Sequence, residues 1–347
     1  MVFYDKVLGG LAGAMIGDAM GAATEVMTRA EISDRFGGWV TDFLPPPSDR
    51  PYSGGRSAAQ ITDDSSQMVC LMDAIVRHAG NITPDVGADA LIDWSKDEEL
   101  FRRFAGPTTR RAISKLRADV PPLLAGRAFE GPLGGVSNGA VMKIAPAGWL
   151  NPGNLQQAAY DAMTITTATH GTRIAYSAAA AVACATARAC QADATVYDVV
   201  DACYEGIQIA RAQMDRTVAD RPAPSLERRI DLAISVALSA HSVEGAVERL
   251  GDLIGNGLHV CETVPCAIGL LVAAKGDPMA AIIGAVNMGD DSDTLACVVG
   301  SITGTLAPNR IPMNTRQQIE QANAVDLKAI VRPFTLLALE RGKGVHD

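Results

Sequence analysis

An all-α fold is what this 347-residue sequence predicts, and three observations predict it. Hydrophobic residues make up 48% of the chain but aromatics only 5%, so a core must be built mainly from Ala, Val, Ile, Leu and Met. Ala-rich stretches such as 174–189 hold few β-branched or aromatic residues and have high helix propensity. No region sustains the period-two alternation of Val, Ile or Thr that marks a strand.

The apolar stretch 7–23 has only Lys6 immediately before it and carries Asp18 in its middle, which argues against both a signal peptide and a membrane span. Its Gly9, Gly13, Gly17 and Gly21 recur every four residues along one helical face, where another backbone can approach closely. This predicts a central helix. Residues 36–59 hold Gly37-Gly38, Pro45-Pro46-Pro47, Pro51 and Gly54-Gly55, and read as a loop that walls a site. A helix is expected from Ser65 to about His78, and another over 140–149 after the Gly-rich segment 131–139. That segment is either an anion-holding turn or simply a tight one. The charged, Pro-bearing stretch 215–229 reads as an exposed connection between helices. Further on, 278–286 and 295–306 read as helices, the latter with Ala296, Gly300 and Gly304 again spaced by four. The two small-faced helices are therefore expected to pack together and to bring distant segments into one cavity.

Those segments are acidic. Thr62-Asp63-Asp64-Ser65 and Asp290-Asp291-Ser292-Asp293-Thr294 crowd carboxylates and hydroxyls into four or five residues, each ahead of an apolar helical run. Hard oxygen ligands without His or Cys suit Mg²⁺ or Mn²⁺ rather than zinc, and two clusters suggest two ions. A helix start favours the ionised forms of Asp63, Asp64, Asp291 and Asp293, and no Lys or Arg lies within either cluster to offset their repulsion. The competing reading is that each cluster merely caps a helix. The twelve-residue spacing of a calcium EF-hand is absent.

Asp18 and Glu25 stand seven residues apart and would share a face if the first helix ran that far. An Asp in so apolar a setting needs a partner, and Glu25 is either a general acid or base in a cleft or a solvated surface residue. His170, between a Thr-rich run and an Ala-rich helix, is a candidate for binding a substrate hydroxyl or phosphate. The net charge of -9 argues against a nucleic-acid backbone as the main partner, a local basic patch aside. Seven cysteines without a CxxC pair read as thiols of a reducing cytoplasm.

Taken together, these residues resemble the ADP-ribosylglycohydrolase family, which includes dinitrogenase reductase-activating glycohydrolases and ADP-ribosylarginine and ADP-ribosylserine hydrolases. The resemblance runs from residues 17–25 through Thr62-Asp63-Asp64, residues 137–143, Thr169-His170 and residues 262–265 to Asp291-Ser292-Asp293-Thr294. It implies an all-α, orthogonally packed helical bundle forming a single domain over residues 1–347, with a dinuclear Mg²⁺ or Mn²⁺ centre. By the same resemblance Thr62, Asp63, Asp64, Asp291, Asp293 and Thr294 would be the ligands. Glu25 would be the catalytic glutamate, with Asp18 and Asp293 acting beside it. Ser137, Asn138, Gly139 and Met142 would hold the diphosphate or distal part of the ligand, and His170 would face the ribose.

The expected reaction is cleavage of the bond between ribose C1 of an ADP-ribosyl group and an N- or O-linked aglycone, on a protein or a small compound. Hydrolysis of a smaller riboside, or a catalytically silent ADP-ribose-binding protein, are the alternatives. Neither nucleic acid nor membrane is an expected partner. Three departures bear on the substrate: Ser65 where many relatives have Thr, Asp290 where the family usually has Gly, and Lys143 where Arg is common. A Lys lacks the flat fork of Arg, which loosens diphosphate recognition.

Overall fold

The first helix, α1 (Val2–Gly21), is buried all round from Lys6 to its last residue, which places it at the centre of the molecule. It belongs to a computed structural model that describes residues 2–127 and 129–343. Eighteen α-helices are present among the described residues, with no strand. After α1 come α2 (Arg29–Phe36), α3 (Asp63–Arg77), α4 (Pro84–Trp94), α5 (Glu98–Phe104), α6 (Pro107–Leu116) and α7 (Pro122–Ala125). The middle of the chain forms α8 (Ala145–Trp149), α9 (Leu155–Thr166), α10 (Arg173–Ala189), α11 (Val196–Gln213), α12 (Leu226–Ser239) and α13 (Val243–Leu253). It closes with α14 (Val260–Ala273), α15 (Pro278–Val286), α16 (Ser292–Leu306), α17 (Met313–Asn323) and α18 (Leu327–Lys343).

The glycine stripe of α1 meets that of α16. A Cβ built on Gly17 would stand 2.1 Å from the Ala296 carbonyl oxygen, and one on Gly9 would stand 2.5 Å from that of Gly304. Only residues without side chains let two helices approach this closely. The α1–α16 pair is flanked by α15 and α18, while the Ala-rich α10 packs between α9, α11, α8 and α16. α10 is nearly all buried along its length, so its alanines serve the same end as the glycines of α1. A satellite cluster around Leu91, Trp94 and Ile113 joins α4 to α6.

Three boundaries differ from the sequence expectations. The helix expected over 140–149 is a 3₁₀ turn, Asn138–Ala140, followed by α8 from Ala145. Pro146 sits in the first turn of α8, where its missing N–H costs nothing, so the helix starts there rather than running on from residue 140. Helix α3 starts at Asp63 rather than Ser65, so both aspartates of the first cluster lie in its first turn. Helix α1 stops at Gly21, so Asp18 and Glu25 do not share a helical face. Gly21 lies so close to α16 that a Cβ on it would stand 2.4 Å from the Asp293 Cα, and the chain leaves in turns from residue 22 to 26.

The connection between α11 and α12 is largely exposed, as its charges predict. All seven cysteines are unpaired. Among the described residues no helix is long and apolar enough to cross a membrane.

Candidate active site

Asp18 is wholly buried, and its partner is the start of another helix. The carboxylate accepts the main-chain N–H of Thr62 at 2.9 and 3.1 Å and of Ser65 at 3.0 Å, and the Thr62 hydroxyl at 2.7 Å. Thr62 is the N-cap residue of α3, yet its own side chain makes no capping bond. Asp18 therefore caps α3 from across the core, which frees the side chains of Asp63 and Asp64 for other work. The second cluster behaves alike. Asp291 occupies the N-cap of α16 without a side-chain capping bond, and its Oδ2 accepts instead from Asn138 Nδ2. Asn138 Nδ2 also donates to Thr263 Oγ1 at 3.0 Å. Plain helix capping thus accounts for neither cluster.

The α1–α16 contact brings the clusters together. Asp18, Asp64 and Asp293, all buried, each offer a carboxylate oxygen within 4.8 Å of one another. Asp64 Oδ1 is buried with no hydrogen-bond partner. The Thr62 hydroxyl also donates to Asp64 Oδ2 at 3.2 Å, and the Thr294 hydroxyl faces Asp64 and Asp291. Gln67 Nε2 donates to Asp63 at 3.2 Å.

Electrostatics follow from this crowding. Burial, then the charge of Asp18, pushes Asp63 up to about 7, while Lys143 opposes the rise. Burial pushes Asp291 up to about 6 against the hydrogen bond from Asn138. Asp64 and Asp293 are held well above the usual carboxylate range by burial and then by one another's neighbours, Asp63 and Glu25. Asp18 is raised by burial as well. Nearby cations include Lys143, 8% exposed, whose ammonium donates to the Gly139 carbonyl at 2.7 Å and is lowered to about 8 by burial, with the Arg56 guanidinium toward Asp18 and that of Arg50 toward Glu25. These cations do not balance the converging carboxylates, whereas divalent cations on oxygen ligands do. An unpartnered buried carboxylate oxygen among converging acids fits a hard metal ion.

Glu25 sits half-buried in the turn after α1, its N–H on the Gly21 carbonyl at 2.9 Å. The turn is stitched to the second cluster. Val26 N–H donates to Asp290 O at 2.7 Å, Asp290 N–H to Met27 O at 2.8 Å, and the Thr24 and Ser292 hydroxyls lie 2.9 Å apart. The 37–62 loop closes over it, with Ser53 Oγ on Ala22 O at 2.8 Å and Arg50 Nη1 on Val26 O at 3.2 Å. Burial raises Glu25 well above its ordinary value, the charges of Asp291, Asp63 and Asp18 add to this, and Arg50 opposes it. Asp290 holds φ at +54°, a region that favours glycine, which gives a physical reason why a Gly suits that position.

The glycine-rich segment is pinned beside the acids. Ser137 Oγ lies 2.8 Å from His170 Nε2, and His170 Nδ1 lies 2.8 Å from Thr169 Oγ1. His170 is 1% exposed and pushed down to about 3 by burial and then by Lys143, so its ring is neutral. A Cβ on Gly139 would stand 3.3 Å from His170 Cε1. Asn138 N–H donates to Leu258 O at 2.8 Å, tying the segment to the approach of α14. Met142 is buried behind it and its carbonyl accepts the Cys297 thiol at 3.5 Å. Arg50 and Ser53 carry no signal in the sequence alone, because their roles arise from where the 37–62 loop comes to rest, and the Thr24–Ser292 contact depends on how the α16 start meets the turn after α1.

Comparison with known proteins gives the family and the fold. The family model described as ADP-ribosylglycohydrolase matches residues 1–344. The Escherichia coli (strain K12) protein YegU is 30% identical over 325 residues, 93% of this chain and 94% of its own. Bovine ADP-ribosylhydrolase ARH3 is 23% identical, over 92% of this chain and 90% of its own. A solved structure described as an ADP-ribosylglycohydrolase-related protein complex shares the fold, with a TM-score of 0.66 at 21% identity over 97% of this chain and 99% of that one. With a family match spanning all but the last residues, the chain belongs to the ADP-ribosylglycohydrolase family.

Proposed function

We propose that the protein is a metal-dependent hydrolase that cleaves the bond between ribose C1 of an ADP-ribosyl group and an N- or O-linked aglycone, free or protein-borne. The observation that carries this is the convergence of Asp18, Asp64 and Asp293 around an unpartnered Asp64 oxygen. Family membership and the name of the bovine relative, an ADP-ribosylhydrolase, support the substrate class. Thr62, Asp63, Asp64, Asp291, Asp293 and Thr294 would hold two Mg²⁺ or Mn²⁺ ions. Bound there, the ions supply orientation of the ribose hydroxyls and charge stabilisation as the glycosidic bond breaks.

The chain's own residues do the rest. Asp18 spends its oxygens on Thr62 and Ser65 and so fixes the first turn of α3. Asn138 orients Asp291. Glu25, raised by burial and then by its acidic surroundings and opposed by Arg50, takes a proton from the attacking water or delivers one to the leaving group. Ser137, Asn138 and Gly139 offer a loop for the diphosphate, braced by a neutral His170. The unpaired thiols support a reducing cytoplasm as the place of work.

One observation favours a smaller riboside as a second reading. The Lys143 ammonium is engaged with the Gly139 carbonyl and is a point charge rather than a fork, so it grips a diphosphate less firmly. The test is turnover of ADP-ribosylated arginine and serine peptides and of simple ribosides with Mg²⁺ or Mn²⁺. Asp291→Ala and Asp293→Ala should lose activity with the fold intact, and wild-type turnover in both overturns the assignment.

A further inference from the structure

A cavity of about 400 Å³ opens between the starts of α10 and α12 and the connection that precedes α12. None of its lining belongs to the acidic centre. Arg173 and Ser177, one turn apart on α10, face it together with Arg211, Asp220, Arg221 and Ser225.

The charges in this wall are not balanced. Arg173 Nη2 donates to the Asp215 main-chain carbonyl, and Arg221 Nη2 donates to that of Gly131 at 3.0 Å. Carbonyls fix both guanidinium groups in place without neutralising them. Arg211 differs, being ion-paired with Glu227 at 2.7 Å. Asp220 is the carboxylate of the wall, and its Oδ1 accepts the N–H of Arg221 at 3.0 Å.

Ser177 supplies an independent sign. It is 4% exposed and lines the cavity, yet among the described residues its hydroxyl has no hydrogen-bond partner. The hydroxyl is therefore open to the cavity and free to hydrogen-bond with what fills it. Ser225, whose Oγ accepts the Arg228 N–H at 3.3 Å, opens the 14-residue α12 and adds the partial positive charge of a helix start.

We propose that this cavity binds a phosphoryl group, carried by free phosphate or by a phosphorylated small molecule. Among the described residues the guanidinium groups of Arg173 and Arg221 have no carboxylate ion pair, and with the Ser177 hydroxyl and a helix start they offer donors to phosphate oxygens beside an apolar wall that includes Ile174, Met214 and Leu226. The site also touches the glycine-rich segment, through Arg221 on Gly131 and through Thr172, the residue before Arg173, whose hydroxyl donates to Gly135 O at 2.5 Å.

The test needs no turnover. With EDTA present and at low ionic strength, inorganic phosphate at about ten times its dissociation constant should raise Tm by about 1–3 °C over chloride of equal ionic strength. The rise should vanish in the Arg173→Gln/Arg221→Gln double variant, shrink in Ser177→Ala and persist in Asp293→Asn. Adenosine monophosphate acting at lower concentration than phosphate would assign the ligand to a phosphorylated small molecule, and equal action would assign it to free phosphate. No response beyond chloride, or an undiminished response in the double variant, overturns the proposal.

Discussion

Gly13 and Gly300 face each other so closely that a Cβ on either would stand 2.2 Å from the other's carbonyl oxygen. The obstacle is backbone on both sides, so no side chain can swing away to make room. Gly13→Ala or Gly300→Ala must push α1 and α16 apart, at about 3–5 kcal/mol. Denaturant unfolding with urea measures this, and a loss below about 1 kcal/mol in both would contradict the contact.

Asp18 acts on α3 through hydrogen bonds that use both its oxygens, Oδ1 on Thr62 and Oδ2 on Thr62 and Ser65. Asp18→Asn removes a buried charge but keeps one acceptor and turns an NH2 toward one of these donors, so it should recover only part of the cap. Asp18→Ala should lose about 2–4 kcal/mol by orphaning the donors of Thr62 and Ser65. Equal stability of the Asn and Ala variants in EDTA would show that the cap across the core contributes nothing.

Metal should be visible as stability. Mn²⁺ or Mg²⁺ well above its dissociation constant should raise the Tm of the wild type by about 5 °C, and EDTA should reverse it. Asp64→Asn removes the carboxylate whose Oδ1 is unpartnered and should abolish the rise. A full metal response in that variant would place the ions elsewhere.

His170 gives a pH dependence of definite sign. Its ring titrates near 6.5 when unfolded and is pushed down to about 3 when folded. The unfolded chain thus binds more protons below 6.5, so the contribution is complete above that pH and is lost as pH falls toward 3. The slope is at most about 1.4 kcal/mol per pH unit. Carboxylate effects common to both proteins cancel in a comparison with His170→Gln. The stability gap between wild type and variant should narrow from pH 7 to pH 4, and a constant gap would falsify the neutral buried ring.

Lys6 ties two helix ends. Its ammonium donates to Ala189 O at 3.1 Å and Leu306 O at 2.9 Å, the last residues of α10 and α16. Lys6→Met should cost about 2–3 kcal/mol, since both carbonyls lose a charged donor where helix dipoles favour one. Thermal unfolding unchanged within about 1 °C would remove that role.

The glycine and alanine spacings of α1 and α16 were legible in the sequence because close backbone approach requires them at fixed intervals, and the helical packing follows. The acidic residues were legible for the same kind of reason, as buried Asp18 had to find a partner. What spacing did not carry was the identity of that partner, because Thr62 N–H and Ser65 N–H are main-chain groups that every sequence contains. The end of α1 stayed open in the sequence, since Gly21 fits either a helix or its exit, and only the nearness of Asp293 decides. The closeness of Lys143 to Asp63 was not legible, because it depends on how the chain turns between the 3₁₀ turn Asn138–Ala140 and α8.

Since α1 opens the chain and α16 comes near its close, the acidic centre is absent from a nascent polypeptide until most of it has been made. Before then each group of aspartates stands in water, separately hydrated and without mutual repulsion. Docking α16 on α1 is a contact of long sequence separation, which forms late because the loop must close before it is rewarded. The same step gathers the carboxylates, so the repulsion between them arises only once α16 has docked, at the end of folding rather than its start.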